Sequence, residues 1–229
     1  GELGLFIDKE QLTSLEEMMR EQGYLDGAEM AATFNLLRAN DLIWSFVINN
    51  YLMGREPFPF DLLYWNADST RMPPEMHSFY LRKMYQDNAL AQPGGIELDG
   101  VAIDLSKIKL PTYVLAAHED HIAPWLACFK ATGLYSGKLR FVLGQSGHIA
   151  GVVNPPEGNK YGYWTGKLTN GESGEDWLNG AERNEGSWWR DWQRWQARLA
   201  GKKVATREPG AGKLKIIEDA PGSYVKVRV

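Results

Sequence analysis

The pattern of apolar residues predicts an α/β fold, a parallel sheet flanked by helices, and three observations carry that expectation. Pro111-Thr112-Tyr113-Val114-Leu115-Ala116-Ala117 is a short, largely apolar run without a charge, which is how a strand covered on both faces reads. Lys138-Leu139-Arg140-Phe141-Val142-Leu143 reads as a second strand. Between them, Pro124-Trp125 opens a helix that extends to about residue 132. Strand, helix and strand with short joints make a βαβ unit, for which a parallel pairing and a right-handed crossover are expected.

The remaining elements follow in order. Residues 8–21 predict a helix, with Asp8 as its cap and Leu12, Leu15, Met18 and Met19 at helical spacing. Residues 28–38 and 40–53 predict two more, the second ending near Gly54. Pro57-Phe58-Pro59-Phe60 breaks any helix and leads into Asp61-Leu62-Leu63-Tyr64-Trp65-Asn66, an apolar run that fits a strand. Pro73-Pro74 opens a helix through about residue 88, and Val101-Ala102-Ile103-Asp104-Leu105 resembles a short strand. Beyond Pro155-Pro156 the chain reads as loop-rich and aromatic, with a helix near 186–199 and a basic, loosely packed tail over 201–229. Residues 1–200 would then form one domain.

Bulk properties narrow the function. The 229 residues suffice for one sizeable core, and 44% hydrophobic with 24% charged residues is an ordinary globular composition. A net charge of −4 gives no reason to expect nucleic acid as a partner. The one cysteine, Cys128, excludes an internal disulfide framework and suits a reducing cytoplasm. No apolar run reaches the roughly 18 residues that span a bilayer. The start at Gly1, without an initiator methionine, suggests a piece of a longer protein.

The chemistry gathers behind the two strands. Asp120 follows the first by a few residues and His148 the second, within Gly144-Gln145-Ser146-Gly147-His148. In open α/β sheets, sites lie at the carboxyl ends of strands, so both side chains are expected at one edge. An acid ahead of a histidine, each on its own loop, is the second half of the Ser…Asp…His order of α/β hydrolases. The acid would hold the imidazole in one tautomer, and the imidazole would take a proton from a nucleophile. Gly147 is expected to supply the tight turn beside the ring. The competing reading is that Asp120 caps the following helix and His148 is an ordinary loop histidine. No small-x-Ser/Cys-x-Gly elbow precedes Asp120; Ser146 lies after the acid, and Cys128 sits in a predicted helix interior, where thiols are usually inert. His118 and His121 invite a metal reading with Asp120 and His77, but the spacing fits no zinc motif, so no metal is expected. Trp188, Trp189, Trp192 and Trp195 lie at helical spacing, and packing is a commoner use of such a stripe than a ligand platform.

At these residues the chain resembles the C-terminal part of a polyhydroxyalkanoate (poly-3-hydroxybutyrate) synthase. The resemblance runs through Asn49-Asn50-Tyr51-Leu52 with Gly54, Phe60-Asp61-Leu62-Leu63-Tyr64-Trp65-Asn66-Ala67-Asp68-Ser69-Thr70 and Glu119-Asp120-His121-Ile122-Ala123-Pro124-Trp125. It continues through the stretch from Phe141 to Pro156, Gly186-Ser187-Trp188-Trp189 and Ala220-Pro221-Gly222-Ser223-Tyr224-Val225. The Glu-Asp-His-Ile and Gly-His-Ile-Ala-Gly wording is closer to the class I, short-chain enzymes than to the medium-chain class.

The resemblance implies an α/β-hydrolase core and a Cys-His-Asp triad that polymerises (R)-3-hydroxyacyl-CoA thioesters with release of CoA and without a cofactor. The family's aspartate matches Asp120 and its histidine matches His148. Its cysteine lies in a Gly-x-Cys-x-Gly-Gly elbow, which this sequence lacks, so the nucleophile is expected upstream of Gly1. Residues 35–88 resemble the cap, or lid, which also takes part in dimerisation. His121, Trp65, Asn66, Asp68 and Ile149 are the supporting or substrate-binding candidates. The implied partners are the hydroxyacyl-CoA, the growing polyester, a second copy of the chain and the surface of a polyester granule in the cytoplasm. Two rivals stand beside this reading: a fragment of an ordinary esterase or thioesterase with the same half-triad, and a non-catalytic granule-binding or dimerisation module.

Overall fold

Residues 7–37, 39–57 and 68–227 are described by the structure, a computed structural model. The chain divides into two compact units, one comprising Asn88–Ala205 and the other Glu2–Asp87 with Thr206–Val229.

In the latter unit, Asp8 starts helix α1 (Lys9–Gln22) with a capping box: the Gln11 N–H donates to the Asp8 carboxylate at 2.7 Å, and the Gln11 side chain accepts from the Asp8 N–H. Gly23, at φ 85°, ends it in the left-handed conformation that glycine tolerates best. Leu12 and Met19 are its buried residues. Helix α2 (Gly27–Leu37) follows. The expected helix over 40–53 forms as two π-helical segments, Asn40–Trp44 and Val47–Leu52. Its asparagines are poor helix formers, and the Asn49 amide donates to the Ser45 carbonyl, competing with the backbone. Trp44, Phe46, Ile48, Tyr51 and Leu52 are exposed. Helix α3 (Pro74–Tyr80) starts on Pro74 and continues as a π-helical segment, Leu81–Gln86. Glu16 of α1 ties these together, accepting a fork from Arg82 at 2.6 and 2.8 Å and a bond from the Ser78 hydroxyl. The strand expected over 61–66 lies outside the described residues.

The other unit begins with a hairpin of β1 (Glu97–Leu98) and β2 (Val101–Ala102), turned by Asp99 and Gly100, both at positive φ. Four strands then build the main sheet: β3 (Thr112–Ala117), β4 (Leu139–Gly144), β5 (Gly162–Thr165) and β6 (Glu182–Glu185), in that spatial order. β3 and β4 are parallel, in register from Thr112↔Leu139 to Ala117↔Gly144. The chain passes between them through α4 (Trp125–Lys130). The sheet as a whole is mixed, not parallel as expected: β5 runs antiparallel to β4, and β6 to β5. A parallel return needs a crossover of a dozen or more residues, usually a helix. The segment after β4 instead holds only α5 (Ala150–Val153) and a short 3-10 turn, and enters β5 in the reverse sense.

Both faces of β4 are covered. On one, Phe141 and Leu143 pack with Ala116, Phe129 and Trp177, the last from α6 (Gly174–Gly180). Phe129, Phe141 and Trp177 meet edge to face or tilted at 4.8–5.8 Å between ring centres. Burying Phe141 completely is worth about 2 kcal/mol. On the other face, Val142 packs with Tyr163 and Trp188. Helix α7 (Trp189–Ala197) closes that face, and its buried Asp191 accepts a fork from Arg140 of β4 at 2.6 and 2.7 Å and a bond from the Tyr113 hydroxyl at 3.1 Å.

Candidate active site

Two parallel strands in register deliver their next loops to the same edge of the sheet. β3 ends at Ala117 and β4 at Gly144, which are paired residues. The ladder runs on past them: the His118 N–H donates to the Gly144 carbonyl at 2.8 Å, and the Glu119 N–H to the Ser146 carbonyl at 3.0 Å. The two loops are thereby stitched together, and Asp120 and His148 meet with His148 Nδ1 at 2.8 Å from Asp120 Oδ2.

The two carboxylate oxygens divide the work. Oδ1 accepts the N–H groups of Ile122 at 2.8 Å and Ala123 at 2.9 Å, while Oδ2 faces the imidazole. Asp120 therefore closes its own turn and holds the histidine at once, but it does not cap the helix that follows. The helix itself starts on Pro124, which offers no side-chain cap. Burial works to raise the Asp120 carboxyl, but the Ala123 N–H, the His148 ring and the Ile122 N–H outweigh it and hold the carboxyl below its ordinary value. An ionised carboxylate only accepts, so His148 Nδ1 is assigned as the donor to Asp120, and in the neutral imidazole this leaves the free lone pair on Nε2. The Asp120 side chain is 7% exposed and that of His148 is 47% exposed. A buried, hydrogen-bonded anion behind an accessible imidazole is the arrangement that lets the imidazole accept a proton and be stabilised once it has.

The turn beside the ring is made differently from the expectation. The left-handed residue is Ser146, at φ 77°, and not Gly147. A Cβ on Gly147 would lie at an ordinary 3.7 Å from the Glu119 carbonyl. Glycine is required at Gly151 instead, where a Cβ would stand 2.7 Å from the Gln145 carbonyl oxygen and 3.0 Å from Ala117 Cβ.

Of the other candidates, Ile149 is adjacent to His148 and exposed, and His121 is exposed beside Asp120. Asp68 is exposed and belongs to the other unit, while Trp65 and Asn66 lie outside the described residues. His118 stacks on the ring of Trp125 and lies tilted against that of Trp164, at 6.1 and 5.5 Å between centres. His77 is buried in the other unit, and burial lowers its pKa. Among the described residues no three His, Cys, Asp or Glu side chains group as metal ligands. Cys128 is half-buried on α4, and burial with the nearby Asp120 charge pushes its thiol up, which disfavours the thiolate a nucleophile needs. No described helix is long and apolar enough to cross a membrane.

The Ile122 and Ala123 donors have no signature in residue identity, because backbone N–H groups are common to every non-proline residue. Asp120-x-x-Ala123-Pro124 nonetheless has the form of an Asx turn ahead of a helix, and that signal could have found them.

No protein-family model matches the chain. It is 53% identical over 228 residues to the poly(3-hydroxyalkanoate) polymerase subunit PhaC of Rhizobium etli, covering all of this chain and 36% of that protein. It is 50% identical over 229 residues to the poly(3-hydroxyalkanoate) polymerase of Methylorubrum extorquens, covering 38% of it. It is 49% identical over 205 residues to the polymerase subunit PhaC of Cupriavidus necator, covering 89% of this chain and 35% of that protein. The chain thus spans little more than a third of the length of these curated relatives. At such identity along its whole length, this chain belongs to the poly(3-hydroxyalkanoate) polymerase family, as a homologue of the C-terminal segment of its members.

Proposed function

We propose that this chain is the segment of a polyhydroxyalkanoate synthase that supplies the acid–base pair for polymerising (R)-3-hydroxyacyl-CoA, with 3-hydroxybutyryl-CoA as the expected monomer. The observation that carries the proposal is the His148–Asp120 pair, 2.8 Å apart at the carboxyl edge of two parallel strands, in a chain homologous to such polymerases. The α/β unit fits the later part of an α/β-hydrolase core.

In this reading His148 Nε2 takes the proton from a cysteine thiol supplied by residues beyond this segment. The thiolate attacks the thioester carbonyl, the C–S bond to CoA breaks, and the imidazolium returns its proton to the departing CoA sulfur. His148 next takes the proton of the 3-hydroxyl, whose oxygen attacks the acyl-enzyme carbonyl; the C–S bond to the cysteine breaks, the imidazolium returns the proton to the cysteine sulfur, and the ester chain is longer by one unit. Asp120 keeps Nδ1 protonated and stabilises the imidazolium at each step; it also helps activate the 3-hydroxyl. No cofactor is needed, because both bonds exchanged are acyl bonds. Residues 35–88 act as lid. His121, Ile149, Asp68, Trp65 and Asn66 support substrate binding. The working form is a homodimer at a polyester granule in the cytoplasm.

The test is CoA release from 3-hydroxybutyryl-CoA by a full-length polymerase containing this segment. His148→Ala is expected to lower the rate about a thousandfold or more. A near-normal rate would remove His148 from the mechanism. Free 3-hydroxybutyrate in place of polymer would assign the site to a thioesterase.

A further inference from the structure

We propose that the indoles of Trp188 and Trp189 are a positioning device for His148, clamping the turn that carries it. The turn begins at the histidine itself. The Gly151 N–H donates to the Gly147 carbonyl at 2.9 Å, and the N–H groups of Val152 and Val153 donate to the Ile149 carbonyl at 3.1 and 2.9 Å. These bonds bracket His148 on both sides and make residues 147–153 one hydrogen-bonded piece. A helix as short as α5 leaves its last carbonyls without partners of its own. Two indole N–H groups take them: Trp188 Nε1 donates to the Val152 carbonyl at 2.9 Å, and Trp189 Nε1 lies 3.1 Å from the Val153 carbonyl and 3.3 Å from that of Val152.

Water could have served these carbonyls, since the side chains of Val152 and Val153 are exposed. The two rings are instead ordered against each other, 5.0 Å apart and 30° from parallel, with Trp192 edge-on to Trp189 at 5.8 Å. Their helix is in turn fixed to the sheet. Asp191, in its first turn, holds the guanidinium of Arg140 by two bonds, and Arg140 stands on β4, the strand that leads to His148. The path closes on itself: β4 carries the histidine loop outward, and β4 also anchors the helix whose indoles hold that loop from its far end. The loop itself is under constraint, with Ser146 at φ 77°. The inference rests on the reading of His148 as the base, so its test needs a readout that does not depend on turnover.

The experiment uses a full-length polymerase containing this segment. Trp189 is replaced by 3-benzothienylalanine, an isostere with sulfur where indole has N–H, and Trp188→Phe provides a second, genetically encoded variant. The first readout is the downfield proton resonance of His148 Nδ1–H, identified by its loss in Asp120→Ala. The second is kcat and KM for CoA release. Each substitution is expected to broaden or abolish the resonance and to lower kcat about tenfold, with KM unchanged. An unaltered Nδ1–H resonance in both variants overturns the clamp, whatever the rate does. A wild type that shows the resonance but releases no CoA would instead count against the proposed function, and the resonance would still decide the clamp.

Discussion

At the residue scale, the site turns on how one carboxylate is shared. Asp120 and His148 were legible in the sequence because each follows an uncharged or apolar strand at nearly the same distance, and a parallel pairing then brings both to one edge. Where the backbone bends was not legible. Gly147 looks like the permissive residue, yet Ser146 takes the left-handed conformation and Gly151 is the position without room. Close approach of two backbones depends on three-dimensional packing, and residue type beside the histidine does not report it. The difference makes a paired prediction. Gly151→Ala should destabilise the folded state by about 1–3 kcal/mol, because the new methyl meets a carbonyl oxygen and a core alanine. Gly147→Ala should stay within about 0.5 kcal/mol. Urea denaturation of the two variants side by side would show whether the costs separate.

At the element scale, periodicity served where one face or both faces are apolar, and failed elsewhere. β3, α4 and β4 were expected and are found within a residue or two. β5 and β6 were not expected. Gly162-Tyr163-Trp164-Thr165 hides among aromatic loop residues, and Glu182-Arg183-Asn184-Glu185, the last strand of the sheet among the described residues, has no apolar face. The hairpin of β1 and β2 could have been read from Asp99-Gly100, a strong turn signal flanked by apolar residues. The helices of the other unit offer an electrostatic test. Hydrogen bonds from Arg82 and then Ser78 hold the Glu16 carboxyl at about 2, against an ordinary 4.5, with burial opposing them. A carboxyl lowered on folding adds stability that is present above about 4.5 and lost as the pH falls towards 2. Glu16→Gln should therefore be less stable than the native chain near neutrality, and the gap should close progressively between pH 4.5 and 2. Denaturation midpoints measured across that range would check it; a gap independent of pH would mean that the fork contributes through packing alone.

At the scale of the whole molecule, the proposed acid and base, Asp120 and His148, have no competent thiol beside them among the described residues. The single thiol lies half-buried on a helix, and burial with the nearby Asp120 charge pushes its pKa up. The isolated chain is accordingly expected to release no CoA from 3-hydroxybutyryl-CoA above the uncatalysed rate, and measurable turnover by it alone would overturn the division of labour proposed here. Handling that chain raises a different matter, which follows from the order of the strands. Among the described residues β3 ends the sheet, and from Thr112 to Ala117 it carries neither a charge nor a proline. Soluble proteins usually guard such an edge with lysine, proline or a bulge, since its outward N–H and C=O groups are a template for another strand. Two copies of the segment can add to each other there, backbone to backbone, building a continuous sheet across the pair. Self-association of this kind would come from an unguarded seam and would look, in a sizing experiment, like the dimer expected of the enzyme. A lysine in place of Thr112, which lies outside both core clusters, is expected to suppress the first and leave the second.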